Sequence, residues 1–169
     1  PLVAEQSVFA LKGGTAINLF IRNLPRLSVD IDLAYLPVAA RAESLAGIDA
    51  AMKSLARRII AAIPVANVHE ARLAAEGIVH KLAVQAGGVQ ILVEVSPVLR
   101  GCVFEPDLRS VAPAVQEQFG FAEVPIVSLA DLYAGKIVAA LDRQHPRDLF
   151  DVRDLLANEG IGDDLRRAF

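Results

Sequence analysis

The glycine pair in VFALKGGTAINLFIR, residues 8 to 22, restricts what this chain can build more than any other feature. A short apolar run ending at Lys12 stops at Gly13 and Gly14, and TAINLFIR then has helical composition with Thr15 near its start. The expected order is strand, glycine turn, helix, because glycine enters left-handed backbone at little steric cost and interrupts both neighbouring patterns. NLPRL ends the helix. SVDIDLAYL then alternates, with Ser28, Asp30 and Asp32 on one face of a strand and Val29, Ile31 and Leu33 on the other.

Downstream, RAESLAGIDAAMKSLARRIIAAI predicts a helix from about 40 to 63, with Leu45, Ile48, Met52, Leu55 and Ile59 at spacings of three and four and Pro64 as its stop. VANVHEARL, GIVHKLAVQA and VQILVEVSPV have strand character, and Gly87-Gly88 between the last two reads as a hairpin turn. Residues 100 to 124 read as a connection with one short strand over 119 to 124. Ser128 with Asp131 three positions on resembles a capping box ahead of LADLYAGKIVAALDR, and Pro146 opens a further helix that stops before Gly160. The fold class expected is α/β (α+β), a mixed sheet flanked by helices. It forms one compact unit with a core over 1–125 and a C-terminal helical segment over 126–169.

Charges are interspersed throughout, and no apolar run approaches the roughly 18 residues that a membrane span needs. A soluble protein is expected, with no membrane partner. The single Cys102 cannot close an internal disulfide and no signal peptide is recognisable, so the expectation is a cytoplasmic setting. The net charge of −3 leaves no global positive field, so a polyanionic partner would need a local patch and no DNA sequence recognition is expected. The last residues, DDLRRAF, read as a helix still in progress, which suggests a piece of a longer chain.

Asp30 and Asp32, two apart on a strand, emerge on one side about 6–7 Å apart at the backbone. A pair so placed suits a hard divalent cation, which removes their mutual repulsion; an edge strand with a solvated polar face is the plainer reading. Glu94 is the one ionisable residue of VQILVEVSPV and would be a third carboxylate, or an edge residue facing water beside Gln90. Gly13, Gly14 and Thr15 at a helix start offer backbone N–H groups to a phosphate, although the stretch fits neither G-x-x-x-x-G-K-[ST] nor G-x-G-x-x-G. Lys136 and Arg143 lie about two helical turns apart and are placed so that both could reach one phosphate chain, or Lys136 covers the core edge with its ammonium in water. In HPRDLFDVRD the acids at a helix start read as dipole partners with solvated arginines. His69, His80 and His145 have no metal-ligand spacing, so no zinc site and no nucleophilic triad is assigned.

Taken together, LKGGTAINLF, RLSVDIDL, VEVS and DLYAGKIVAALDRQHPRDLFDV resemble, in order and spacing, the AbiEii/AbiGii toxin family of nucleotidyltransferases, within the DNA polymerase β-like superfamily. The resemblance spans Phe9 to Leu156. It implies a nucleotidyltransferase core over 1–125 that moves a nucleoside monophosphate from an NTP to an acceptor hydroxyl. Mg²⁺ or Mn²⁺ would be held by Asp30, Asp32 and Glu94. Gly13 and Gly14, accompanied by Lys12 and Thr15, match the phosphate-holding glycine motif. Arg26 and Ser28 match the arginine–serine lead-in to D-x-D, Lys136 the helical K-x-x-A lysine, and Arg147-Asp148 the R-D motif. In this reading Asp30, Asp32, Lys136 and Asp148 carry the chemistry, and Lys12, Gly13, Gly14, Thr15, Arg26, Ser28, Lys136 and Arg143 bind the nucleotide. The resemblance further implies a toxin of a toxin–antitoxin or abortive-infection system with a cognate antitoxin and an RNA acceptor, a tRNA 3′ end. Arg22, Arg26, Lys53, Arg57, Arg58, Arg143 and Arg147 are the candidates for a basic RNA-binding patch. A protein hydroxyl as acceptor, and a non-catalytic binding module of the same fold, stay open as alternatives.

Overall fold

The computed structural model describes residues 2–169. The chain runs β1 (Phe9–Lys12), α1 (Gly13–Ala16) continued by a π-helical turn (Ile17–Ile21), β2 (Ile31–Tyr35), α2 (Arg41–Ala62), β3 (Asn67–Arg72), β4 (Val79–Ala86), β5 (Val89–Arg100), β6 (Asp107–Ser110), α3 (Pro113–Phe119), β7 (Glu123–Ile126), α4 (Leu129–Arg143), α5 (Pro146–Asn158) and α6 (Asp163–Ala168). The seven strands form one mixed sheet in the order β3-β4-β5-β2-β1-β7-β6. β2 lies antiparallel to β1 and parallel to β5, and β7 lies parallel to β1. This is the α/β class expected, with strands and helices mixed along the chain.

The centre of the sheet is covered on both faces. Phe9, Ala10 and Leu11 of β1 and Leu33, Ala34 and Tyr35 of β2 are consecutive buried residues, whereas a strand facing water on one side would alternate. α2 lays Leu45, Ile48, Met52, Leu55 and Ile59 into the core at the predicted spacing and packs on β3, β4 and β5. The β4–β5 hairpin closes on Gly87 and Gly88, both at positive φ, as a two-residue primed turn requires. Ser128 caps α4 by accepting from the Asp131 N–H at 3.0 Å. The Asp131 carboxylate in turn accepts from the N–H groups of Val103 and Phe104, tying the preceding loop to the helix start.

Two local expectations need correction. Residues 100–124 hold β6 and α3, and the strand expected at 119–124 is β7, shifted to Glu123–Ile126. β6 is a four-residue, largely exposed edge strand, too short to show an apolar alternation. β2 begins at Ile31, so Ser28 and Asp30 sit in the loop before it and are held by side chains: Thr15 Oγ1 lies 3.2 Å from Ser28 Oγ and donates to the Asp30 carbonyl.

Gly47, inside α2, faces the buried Tyr35 ring; a Cβ there would overlap the Tyr35 hydroxyl and lie 3.0 Å from Cζ. Tyr35 cannot retreat easily, because it packs edge-on against Phe9 with ring centroids 6.1 Å apart. Gly47→Ala gains about 1 kcal/mol of helix propensity but overpacks the core at a cost of about 1–3 kcal/mol. The midpoint of thermal unfolding should therefore fall by a few degrees; a rise would show that α2 does not press on Tyr35.

Candidate active site

The glycine turn is built so that other groups can press against its backbone. Gly13 has φ +74°, and a Cβ there would collide with the Asp32 carboxylate; a Cβ on Gly14 would lie 2.9 Å from Ser28 Oγ and 3.0 Å from Arg26 Nη2. Asn18 steadies the turn by donating from Nδ2 to the Gly14 carbonyl at 2.7 Å.

Strand register then sets a row of four charges across the sheet. Lys12 of β1 pairs with Asp32 of β2, Asp32 with Glu94 of β5, and Glu94 with Lys81 of β4. Directly paired residues share a face, so two carboxylates stand between two ammonium groups. Burial raises the Asp32 pKa above its ordinary value; Glu94 and Asp30 push it the same way, against the pull of Lys12 and Lys136. Glu94 is ion-paired to Lys81 at 2.7 Å, and Asp30 is exposed, with its Oδ1 3.4 Å from the Leu92 N–H. Among the described residues no three carboxylate, imidazole or thiol groups stand together as a metal cluster. Asp30 and Asp32 still fit a hard cation such as Mg²⁺, which commonly takes one or two carboxylates and completes its shell with substrate phosphates. The raised pKa of Asp32, set first by its burial, reflects a cost of the charged form that such a cation would offset.

α4 and α5 supply the opposite wall. Lys136 is 7% exposed, and its Nζ lies 2.7 Å from Asp148 Oδ1 and 3.2 Å from Asp151 Oδ2. Asp148 also accepts from Arg143 at 2.6 and 3.2 Å, and Asp151 accepts from Arg26 Nε at 3.0 Å and Nη2 at 2.6 Å. Burial would raise the Asp148 pKa, but the hydrogen bonds from Arg143 and Lys136 outweigh it and hold the carboxyl down at about 2. The expectation of solvated acids in HPRDLFDVRD is thus overturned for Asp148 and Asp151, each 1% exposed. With Leu155 they make the buried stripe of α5 at spacings of three and four. The reading of Lys136 as a lysine with its ammonium in water fails for the same reason.

A cleft of about 240 Å³ draws on both walls, with Gly14, Arg26, Ser28, Asp30 and Asp32 on one side and Lys136, Arg143, Arg147 and Asp148 on the other. His145, the N-cap of α5, also faces it. Lys12, Gly13, Thr15 and Glu94 are not among the residues that line it. A larger cavity of about 450 Å³ around Leu129, Leu155 and Leu165 contains none of the residues selected from sequence. Sequence reasoning missed Asp151 and Lys81; the i, i+3 spacing of Asp148 and Asp151 on a helix with few other inward-facing groups was the available signal for the first. The basic patch is largely neutralised: Arg22 pairs with Glu159, Arg26 with Asp151, Lys53 with Asp49, Arg58 with Glu5 and Arg143 with Asp148.

A mixed sheet whose first strand turns through two glycines into a helix, with Asp30 and Asp32 at the entry to the strand beside it, matches the nucleotidyltransferase-type fold expected from the sequence. The chain belongs to the AbiEii family, described as nucleotidyl transferase AbiEii toxin, Type IV TA system, which matches residues 1–169. The fold is similar to that of MenT4, a nucleotidyltransferase toxin of Mycobacterium tuberculosis H37Rv, with a TM-score of 0.71 and 19% identity over 99% of this chain and 59% of that one. It is similar also to JHP933 of Helicobacter pylori, with a TM-score of 0.60 and 19% identity over 99% of this chain and 68% of that one. The chain therefore spans 59% of the length of MenT4. No curated protein sequence matches it.

Because the folded Asp148 carboxyl sits near 2 against an ordinary 3.8, its stabilising contribution is complete above about pH 5 and is lost as pH falls through the folded value. Denaturation of the wild type between pH 5 and 2 should show this loss, about 1–2 kcal/mol from this group. Asp148→Asn should flatten the profile in that window while lowering stability at pH 7. Asp32 has the opposite sign, so Asp32→Asn should raise the melting temperature at pH 7 in metal-free buffer. A fall would contradict the charge row.

Proposed function

We propose that the protein transfers a nucleoside monophosphate from an NTP to an acceptor hydroxyl on RNA, at a tRNA 3′ end, as the toxin of a toxin–antitoxin pair. The observation that carries this reading is the single cleft in which the D-x-D carboxylates, the glycine turn and Lys136 face one another. A cognate antitoxin and a cytoplasmic setting belong to the same proposal, since the family is described by its toxin–antitoxin system.

In this reading the α-phosphoryl group passes to the acceptor oxygen as the bond to pyrophosphate breaks. Gly13 and Gly14 admit the phosphates close to the backbone, and their N–H groups with Thr15 at the start of α1 face negative charge. Lys12 and Ser28 flank that approach, and Arg26 presents its guanidinium over Gly14. Lys136 and Arg143, both held by Asp148, oppose the charge that grows on departing pyrophosphate. Mg²⁺ or Mn²⁺, when bound by Asp30 and Asp32, supplies charge neutralisation and lowers the pKa of the attacking hydroxyl. Glu94, paired in register with Asp32 and ion-paired to Lys81, would be the third carboxylate if it left that lysine for the ion.

The ion pairing of Arg22, Arg26, Lys53, Arg58 and Arg143 leaves the exposed Arg57 and Arg147 of the candidate patch and makes a protein hydroxyl the second acceptor to consider.

Each of the four NTPs, labelled at the α-phosphate, is incubated with the protein, Mg²⁺ and either total RNA or total protein. Label should enter RNA, and the Asp30→Ala/Asp32→Ala variant should lose about a hundredfold or more of it. Label in protein would move the acceptor to the second reading. Labelling that survives the double substitution would remove the two aspartates from the chemistry.

A further inference from the structure

Arg26 is carried by the segment between the π-helical turn and β2, yet its guanidinium is held by a residue of α5. Asp151 accepts from Arg26 Nε on one oxygen at 3.0 Å and from Nη2 on the other at 2.6 Å, a two-point grip that fixes the plane of the guanidinium as well as its place. The Asp151 side chain is 1% exposed and that of Arg26 14%. The same carboxylate lies 3.2 Å from Lys136 Nζ, so one buried group restrains two cations from elements far apart in the chain. The position it imposes on Arg26 is specific, since Nη2 stands 3.0 Å from where a Cβ on Gly14 would lie. A side chain at position 14 would press on the guanidinium there.

We propose that Asp151 is a positioning residue for nucleotide binding, holding Arg26 against the glycine turn and Lys136 at the cleft wall so that both cations are oriented toward the phosphates before the nucleotide arrives. This rests on the reading of the cleft as an NTP site and adds to it a residue that touches no substrate. The chemistry of the pair explains why a buried carboxylate is retained: its two oxygens are turned toward Arg26 and Lys136, and each cation keeps further N–H donors for the ligand. Asp148 does the same for Lys136 and Arg143, but the Arg143 side chain is 62% exposed, whereas that of Arg26 is 14% exposed. Preorganisation of this kind reduces the ordering cost of binding, and so it acts on affinity for the phosphates rather than on the nucleoside.

The test is a double-mutant cycle on equilibrium binding of NTP in Ca²⁺ buffer, with the matching nucleoside as control and thermal unfolding as a check on folding. Asp151→Asn keeps the volume and should weaken NTP binding about 10- to 100-fold, leaving nucleoside binding within a factor of about two. In an Arg26→Ala background the same substitution should cost clearly less than in the wild type, because only Lys136 is left for Asp151 to position. Arg26→Lys keeps the charge but not the two-point grip and should lose about tenfold or more, which decides the question even where Asp151→Asn fails to fold. An equal loss with and without Arg26, or full NTP affinity in Arg26→Lys, would overturn the assignment. A wild type that binds no NTP would instead overturn the reading of the cleft and this inference with it.

Discussion

Two carboxylates out of reach of water, Asp148 and Asp151, hold three cations, and through them the two walls of the cleft are joined. Lys136 and Arg143 come from α4 and Arg26 from the loop ahead of β2. Taking each charge out of water costs several kcal/mol, so the group is stable only as a set. Removing one member strands its partners, which makes the network a poor source of net stability and a strict specifier of geometry. The loop that carries Arg26, Ser28 and Asp30 has no strand pairing of its own before Ile31, and its position depends on this set and on Thr15.

The sheet contributes a second, independent constraint. β2 lies between β1 and β5, so Asp32 has Lys12 on one side and Glu94 on the other, and its charge is only partly balanced. A core strand could close this position with an apolar residue at lower cost. An aspartate here, across the cleft from the buried Lys136, is the arrangement that the proposed metal-bound nucleotide would complete. The 22-residue α2 and the β3–β5 strands it covers belong to the scaffold and bring only Glu94 and Lys81 to this row.

Much of this was legible in the sequence where side-chain period and punctuation agree. Gly13-Gly14 after an apolar run, the spacing from Leu45 to Ile59, Gly87-Gly88 and Ser128 each specify local structure by a steric or hydrogen-bonding rule, and each element formed where that rule placed it. β6 and α3 were not legible, because an exposed four-residue edge strand and a seven-residue helix bury too little to leave a pattern. The burial of Asp148 and Asp151 was hidden for another reason. Acids in a first helical turn are ordinarily solvated, and only the arrival of Arg26 from more than a hundred residues away, together with Lys136, makes their burial tolerable. Likewise the neutralisation of the arginines is a property of tertiary pairing that composition does not carry.

The central claim is that Asp30 and Asp32 hold the divalent ion that accompanies the nucleotide, and Mn²⁺ binding followed by electron paramagnetic resonance tests it without any need to know the acceptor. Free Mn²⁺ signal should fall on adding wild-type protein with an NTP. The Asp30→Asn/Asp32→Asn variant, confirmed as folded, should leave the signal where the NTP alone sets it. Mn²⁺ uptake by that variant equal to the wild type would contradict the account.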